Sequence, residues 1–160
     1  MQPHTEPPTQ PQRRSGGPHP WGPLLGEWSI EGTHPGLPGT VVHGHAVFEW
    51  LPDQAFLIQR SHYDHPEIPD GLTVTGILDG KPVMHYFDPR GVHRVFEVEI
   101  TAGTWRYRND TPGFSQRFTG TLSPDTIVGH GELSRDGVTW DDDLDLTYRR
   151  IGRAGRPSTA

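Results

Sequence analysis

The sequence predicts an all-β domain: a single antiparallel up-and-down β-barrel of about ten strands. Three observations lead there. Turn signals recur at roughly the 8–12-residue spacing of a sandwich or barrel. Apolar and polar residues alternate with period two, most clearly near the C-terminus. No segment shows a convincing 3.6-residue period.

The elements follow in order. Pro23-Leu24-Leu25 suits a short helical turn that plugs one end of the barrel. Strands are expected over Glu27–His34, Val41–Trp50, Ala55–His62, Leu72–Asp79, Pro82–Asp88, His93–Ile100, Thr104–Asn109, Phe114–Thr121, Thr126–Ser134 and Val138–Arg149. The breakers between them are Leu51-Pro52-Asp53, Asp79-Gly80, Asp88-Pro89-Arg90-Gly91, Thr111-Pro112-Gly113, Ser123-Pro124-Asp125 and Asp136-Gly137. Asp-Gly pairs favour the turns that join hairpins. Such short connections imply a meander, and closure of the sheet removes its two exposed edges. In the last strand Val138, Trp140, Leu144, Leu146 and Tyr148 share one face. Asp142 falls on that apolar face as an exception.

Composition sets the outer limits. The 160 residues fit one domain, expected over 21–151. Residues 1–20 hold six prolines, three glutamines and two glycines without periodicity, a composition that reads as a disordered tail; residues 152–160 read likewise. No apolar run is long enough to cross a bilayer, and Met1 to Pro20 lacks the apolar core of a secretory signal. A cytoplasmic location is therefore the expectation. With no cysteine, disulfides and thiolate chemistry are excluded. A net charge of −6 argues against nucleic-acid binding. Hydrophobic content of 31% is low, as befits a barrel with a partly polar lumen.

The stretch Leu24-Leu25-Gly26-Glu27-Trp28-Ser29-Ile30-Glu31-Gly32 resembles the Gly-x-Trp opening of calycin-type barrels, the lipocalins and fatty-acid-binding proteins. With Gly32 it is also similar to the start of nitrobindin-like barrels and of uncharacterised bacterial relatives, although Ile30 replaces a glycine of that pattern. The resemblance implies structural roles for Gly26 and Trp28, with the indole closing the barrel bottom against Arg149 or Arg150 of the last strand. It also implies a haem histidine on the last strands. Aligning the Leu144–Arg150 ending puts Asp143 at that position, and carboxylate is a poor axial ligand, so haem is disfavoured. No cofactor is expected.

Ten histidines invite a search for chemistry. His43 and His45, two apart on one strand, are weak metal candidates because spacing supplies no third ligand. His62, His85 and Asp142 are the candidate general bases should the lumen be catalytic. His85 and Tyr86 point to opposite faces, so only one of them enters the lumen. Candidate ligand-binding residues are Trp28, Phe56, Ile58, Arg60 and His62, then Trp105, Tyr107, Gln116 and Phe118. No nucleophile elbow, phosphate loop, zinc-protease or dinucleotide motif is present. The leading expectation is a binding barrel for an apolar or aromatic small molecule, with no nucleic-acid or membrane partner; a homodimer is compatible with the pattern. An isomerase- or cyclase-type enzyme ranks second and a haem protein third.

Overall fold

Tight turns between short alternating strands dictate the topology. At Asp79 and Gly80 both φ angles are positive, 50° and 79°. That is the geometry of a two-residue hairpin whose twist matches its strands. Leu78 and Lys81 pair directly across it.

The computed structural model describes residues 20–51 and 54–153. The tail assignments to residues 1–20 and 152–160 fall almost wholly outside the described residues. Ten strands form a closed antiparallel barrel in sequence order: β1 (Gly26–Thr33), β2 (Val42–Trp50), β3 (Leu57–Tyr63), β4 (Gly71–Leu78), β5 (Lys81–Phe87), β6 (His93–Ile100), β7 (Thr104–Asn109), β8 (Ser115–Leu122), β9 (Thr126–Ser134) and β10 (Asp141–Gly152). Closure comes from β1 against β10, with Trp28 opposite Arg150 and Ile30 opposite Tyr148. No sheet edge is left exposed, so every strand has two paired neighbours.

A 3-10 turn, Gly22–Leu24, caps one end. Trp21, Leu24 and Trp28 are buried there, and the Trp28 Nε1–H donates to the Leu24 carbonyl at 2.9 Å. Arg150, rather than Arg149, covers the indole, with its guanidinium carbon 4.1 Å from the ring centroid. The same guanidinium donates to the carbonyls of Pro23, Leu25 and Pro124, so it ties the plug to the β8–β9 connection. Arg149 points outward, toward Glu31. Above this floor the inward residues Ile30, Ala46, Phe48, Leu57, Trp105, Ile127 and Leu146 fill the lower half as a solid apolar core. The loops of the opposite end, 34–41, 64–70, 88–92, 110–114 and 135–140, surround the upper half.

Two expected faces are corrected. In β3 the inward residues are Leu57, Gln59, Ser61 and Tyr63, while Ile58, Arg60 and His62 face outward. Phe56 precedes the strand and is 44% exposed, its ring lying against Gly76. The run Ala55-Phe56-Leu57-Ile58 is apolar at both parities, so periodicity alone leaves the face undetermined. Pairing settles it, because opposed residues share a face. Gly44, Ala46 and Phe48 of the inward β2 face lie opposite Tyr63, Ser61 and Gln59.

In β10 the register shifts between Asp142 and Asp145. Leu144, Leu146 and Tyr148 keep the expected inward face, but above the irregularity the parity reverses. Asp143 turns toward the lumen, and the Asp142 side chain is 76% exposed. Gly131 makes this local crowding tolerable, since a Cβ there would meet the Leu144 carbonyl oxygen at 2.8 Å. Val138 and Trp140 precede β10, and Trp140 lies under the Arg117 guanidinium.

Candidate functional site

The upper half of the barrel encloses a cavity of about 390 Å3. Its two walls differ in chemistry because neighbouring strands present different residues inward. On β3 and β4, Gln59, Ser61 and Thr73 form a polar wall. Gln59 donates to the Ser61 hydroxyl at 2.9 Å, and the Thr73 hydroxyl donates to the Gln59 carbonyl oxygen at 3.4 Å. Opposite them, Phe96, Tyr107 and Phe118 form an aromatic wall. Tyr107 and Phe118 stack with centroids 4.8 Å apart and planes 15° from parallel, and Phe96 meets Tyr107 edge-on.

All four tyrosines of the chain, Tyr63, Tyr86, Tyr107 and Tyr148, line this cavity. Tyr63 and Tyr148 stand beside Ser61 and Gln59, so their phenols extend the polar wall. Burial pushes the Tyr63 phenol up to about 12 and also raises Tyr86, Tyr107 and Tyr148. A phenol ionises with difficulty where water is scarce. Each therefore keeps its proton at neutral pH. Tyr86 already donates its proton to Asp88 at 2.9 Å, and Asp88 is held down at about 2 chiefly by Arg90.

A polar chain runs across the mouth. Arg94 donates to the Gln116 carbonyl oxygen at 2.9 Å, and the Gln116 amide reaches Asp143 at 3.5 Å. Asp143 is 3.0 Å from His34 Nε2. His34 Nδ1 accepts the Gly36 backbone N–H at 2.9 Å, which assigns the ring proton to Nε2 and makes it the donor to Asp143. Both imidazole nitrogens are thus committed. His34 positions Asp143 and has no free lone pair to take a proton from a lumen ligand.

Of the expected ligand-binding residues, Tyr107, Gln116 and Phe118 reach the cavity. Trp28 and Trp105 face inward but belong to the packed lower half. Ile58, Arg60 and His62 lie outside, with Arg60 paired to Glu49. The three candidate bases are also outside the lumen. His62 sits between Asp64 and Asp70 with 62% of its side chain exposed. His85 hydrogen-bonds His93 at 3.1 Å on the outer face, and Asp142 approaches His130 at 3.5 Å. His43 and His45 also face outward, and among the described residues no three such side chains converge on a metal position. The residues that sequence reasoning passed over are Gln59, Ser61 and Tyr63, hidden by the inverted β3 face, Thr73 on β4, and Arg94 at the mouth. One signal was available: tyrosines are scarce here, and each lies in an alternating strand.

The outer His62 gives a separate expected result. Asp70, through its hydrogen bond and its charge, raises the His62 pKa above 6.5, and Asp64 adds to the effect. A raised folded-state value means that the stabilisation is complete below 6.5 and is lost as pH rises through the folded pKa. Asp70→Asn is expected to lower the His62 midpoint toward 6.5 in a proton NMR titration. An unchanged midpoint would show that Asp70 does not set it.

No protein-family model matches the sequence, and no curated protein does. Among solved structures it is similar to the crystal structure of Rv2717c from M. tuberculosis, with a TM-score of 0.60 and 13% identity over 81% of this chain and 93% of that one. At that identity the likeness shows the barrel fold alone.

Proposed function

We propose that this barrel is a small-molecule receptor that holds a partly aromatic ligand in its upper lumen without transforming it. The observation that carries this reading is the cavity itself, about 390 Å3 between one hydroxyl-rich wall and one aromatic wall. That size and mixture suit a ligand pocket, where apolar surface supplies affinity and a few polar groups fix orientation. Kinship with calycin-type and nitrobindin-like barrels is part of the proposal. It is supported by Gly26-x-Trp28 at the plug and by Arg150 over the indole.

A catalytic reading has little support, because His62, His85 and Asp142 lie outside the lumen and both nitrogens of His34 are engaged. Haem fits poorly as well. At the position where the resemblance calls for histidine, Asp143 offers a carboxylate already hydrogen-bonded to His34.

The test is binding of a neutral aromatic probe, 2-naphthamide, followed by two-dimensional NMR. Expected shifts concentrate on the amides and side chains of Gln59, Ser61, Tyr107 and Phe118. Shifts confined to the outer face, or none at millimolar probe, would overturn the receptor reading.

A further inference from the structure

The polar groups of the lumen are unequally committed, and the imbalance has a chemical consequence. Three arginines line the cavity: Arg90, Arg94 and Arg117. Arg90 is paired with Asp88 at 2.7 Å, and Arg117 with Glu132 at 2.6 Å. Arg94 has no carboxylate within ion-pair distance among the described residues. Its contacts are the Gln116 carbonyl oxygen and the face of Phe114, 4.8 Å away. Gln116 separates it from Asp143, whose oxygens serve His34 and Gln116. A guanidinium drawn partly out of water with only neutral partners is under-compensated.

The Tyr107 hydroxyl is the second uncommitted group. Its ring is fixed by Phe96, Trp105 and Phe118. The hydroxyl makes no hydrogen bond with the described residues. No buried side-chain polar atom among those residues lacks a partner, so this oxygen opens onto the cavity rather than being sealed in the wall. Arg94 and Phe96 are alternate inward residues of β6, roughly 7 Å apart along the strand. Tyr107 pairs with Val98, the next inward residue of β6 below Phe96, and its ring meets Phe96 edge-on, so it lines the same side of the cavity deeper than Arg94. Both uncommitted groups are hydrogen-bond donors. The Gln116 oxygen already accepts from Arg94, and the Asp143 oxygens from His34 and Gln116.

We infer that the ligand is an organic carboxylate on a flat, largely apolar body. Its anionic group lies against Arg94 and within reach of the Tyr107 hydroxyl, and its body lies along the stacked Tyr107–Phe118 wall. The arginine fork supplies two parallel N–H donors, the arrangement that suits a carboxylate, and the phenol offers a further donor deeper in the lumen. This rests on the receptor reading above and adds the charge class of the ligand.

The test compares two probes of one shape, 2-naphthoate and 2-naphthamide, by calorimetry at pH 7.5 and low salt. The wild-type protein is expected to bind the naphthoate about tenfold or more tightly than the amide. Arg94→Gln is expected to weaken naphthoate binding about ten- to a hundredfold, the loss typical of a charged hydrogen bond, and the amide far less. Arg94→Lys is expected to restore part of the preference, which separates lost charge from lost fold. Tyr107→Phe should weaken naphthoate about three- to tenfold. Arg149→Gln, the same charge change on the outer surface, should alter neither probe. Equal binding of both probes to wild type and Arg94→Gln would overturn the anion inference while leaving the receptor reading intact. Failure of both probes to bind would overturn the two together.

Discussion

Trp28→Ala is expected to destabilise the fold by about 4 kcal/mol, within the range for truncating a buried tryptophan. Several separate interactions end at this indole. It is fully buried, it donates to the Leu24 carbonyl, and it carries the Arg150 guanidinium on its face. Tyr148 also meets it edge-on, with centroids 6.5 Å apart. An alanine would leave a cavity at the floor and strand part of the Arg150 network, which ties Pro23 and Leu25 to Pro124. The measurement is urea unfolding of both proteins. A loss below about 1 kcal/mol would show that the floor closes without the indole. In a cycle with Arg150→Ala, the coupling should approach about 1 kcal/mol, as for a partly desolvated cation–π pair.

Gly129→Ala is expected to act on stability and on binding together. Gly120 and Gly129 face each other across β8 and β9, and the Phe118 ring lies over both. A Cβ on residue 129 would fall 2.0 Å from the ring's Cζ. The ring is buried and stacked on Tyr107, so it has to leave its place, and the open side is the cavity. Overpacking of this kind costs about 1–3 kcal/mol. The displaced ring would also narrow the lumen, so 2-naphthamide binding should weaken along with the loss in denaturation midpoint. Lost stability with unchanged binding would place the ligand elsewhere than on this wall.

Much of the architecture could be read from local residues. Asp79-Gly80 demands a tight hairpin, and Asp88-Pro89-Arg90-Gly91 makes the expected turn, with Asp88 accepting the Arg90 N–H and Gly91 at φ 79°. The ten strands follow from such punctuation. The plug was legible in Gly26-x-Trp28, although choosing Arg150 over Arg149 needed the β1–β10 register. The candidate site was less legible. Tyr107, Gln116 and Phe118 stood on strands whose alternation has only one sensible reading. Gln59, Ser61 and Tyr63 did not, because an apolar run before them supports either face. Their polarity becomes affordable inside only when Thr73, from another strand, completes the hydrogen bonds of Gln59.

By itself the sequence determined an antiparallel barrel, its number of strands and the indole at its floor. Period-two patterning and turn chemistry are local properties and need no partner to be expressed. Tertiary structure alone decided which face of β3 looks inward, the reversal that brings Asp143 to the lumen while Asp142 meets water, and the pairing of Arg94 with Gln116 in place of a carboxylate among the described residues. The physical reason is common to all three. A residue's face and its charge partner depend on the strand laid beside it, and that strand is chosen by closure of the whole barrel.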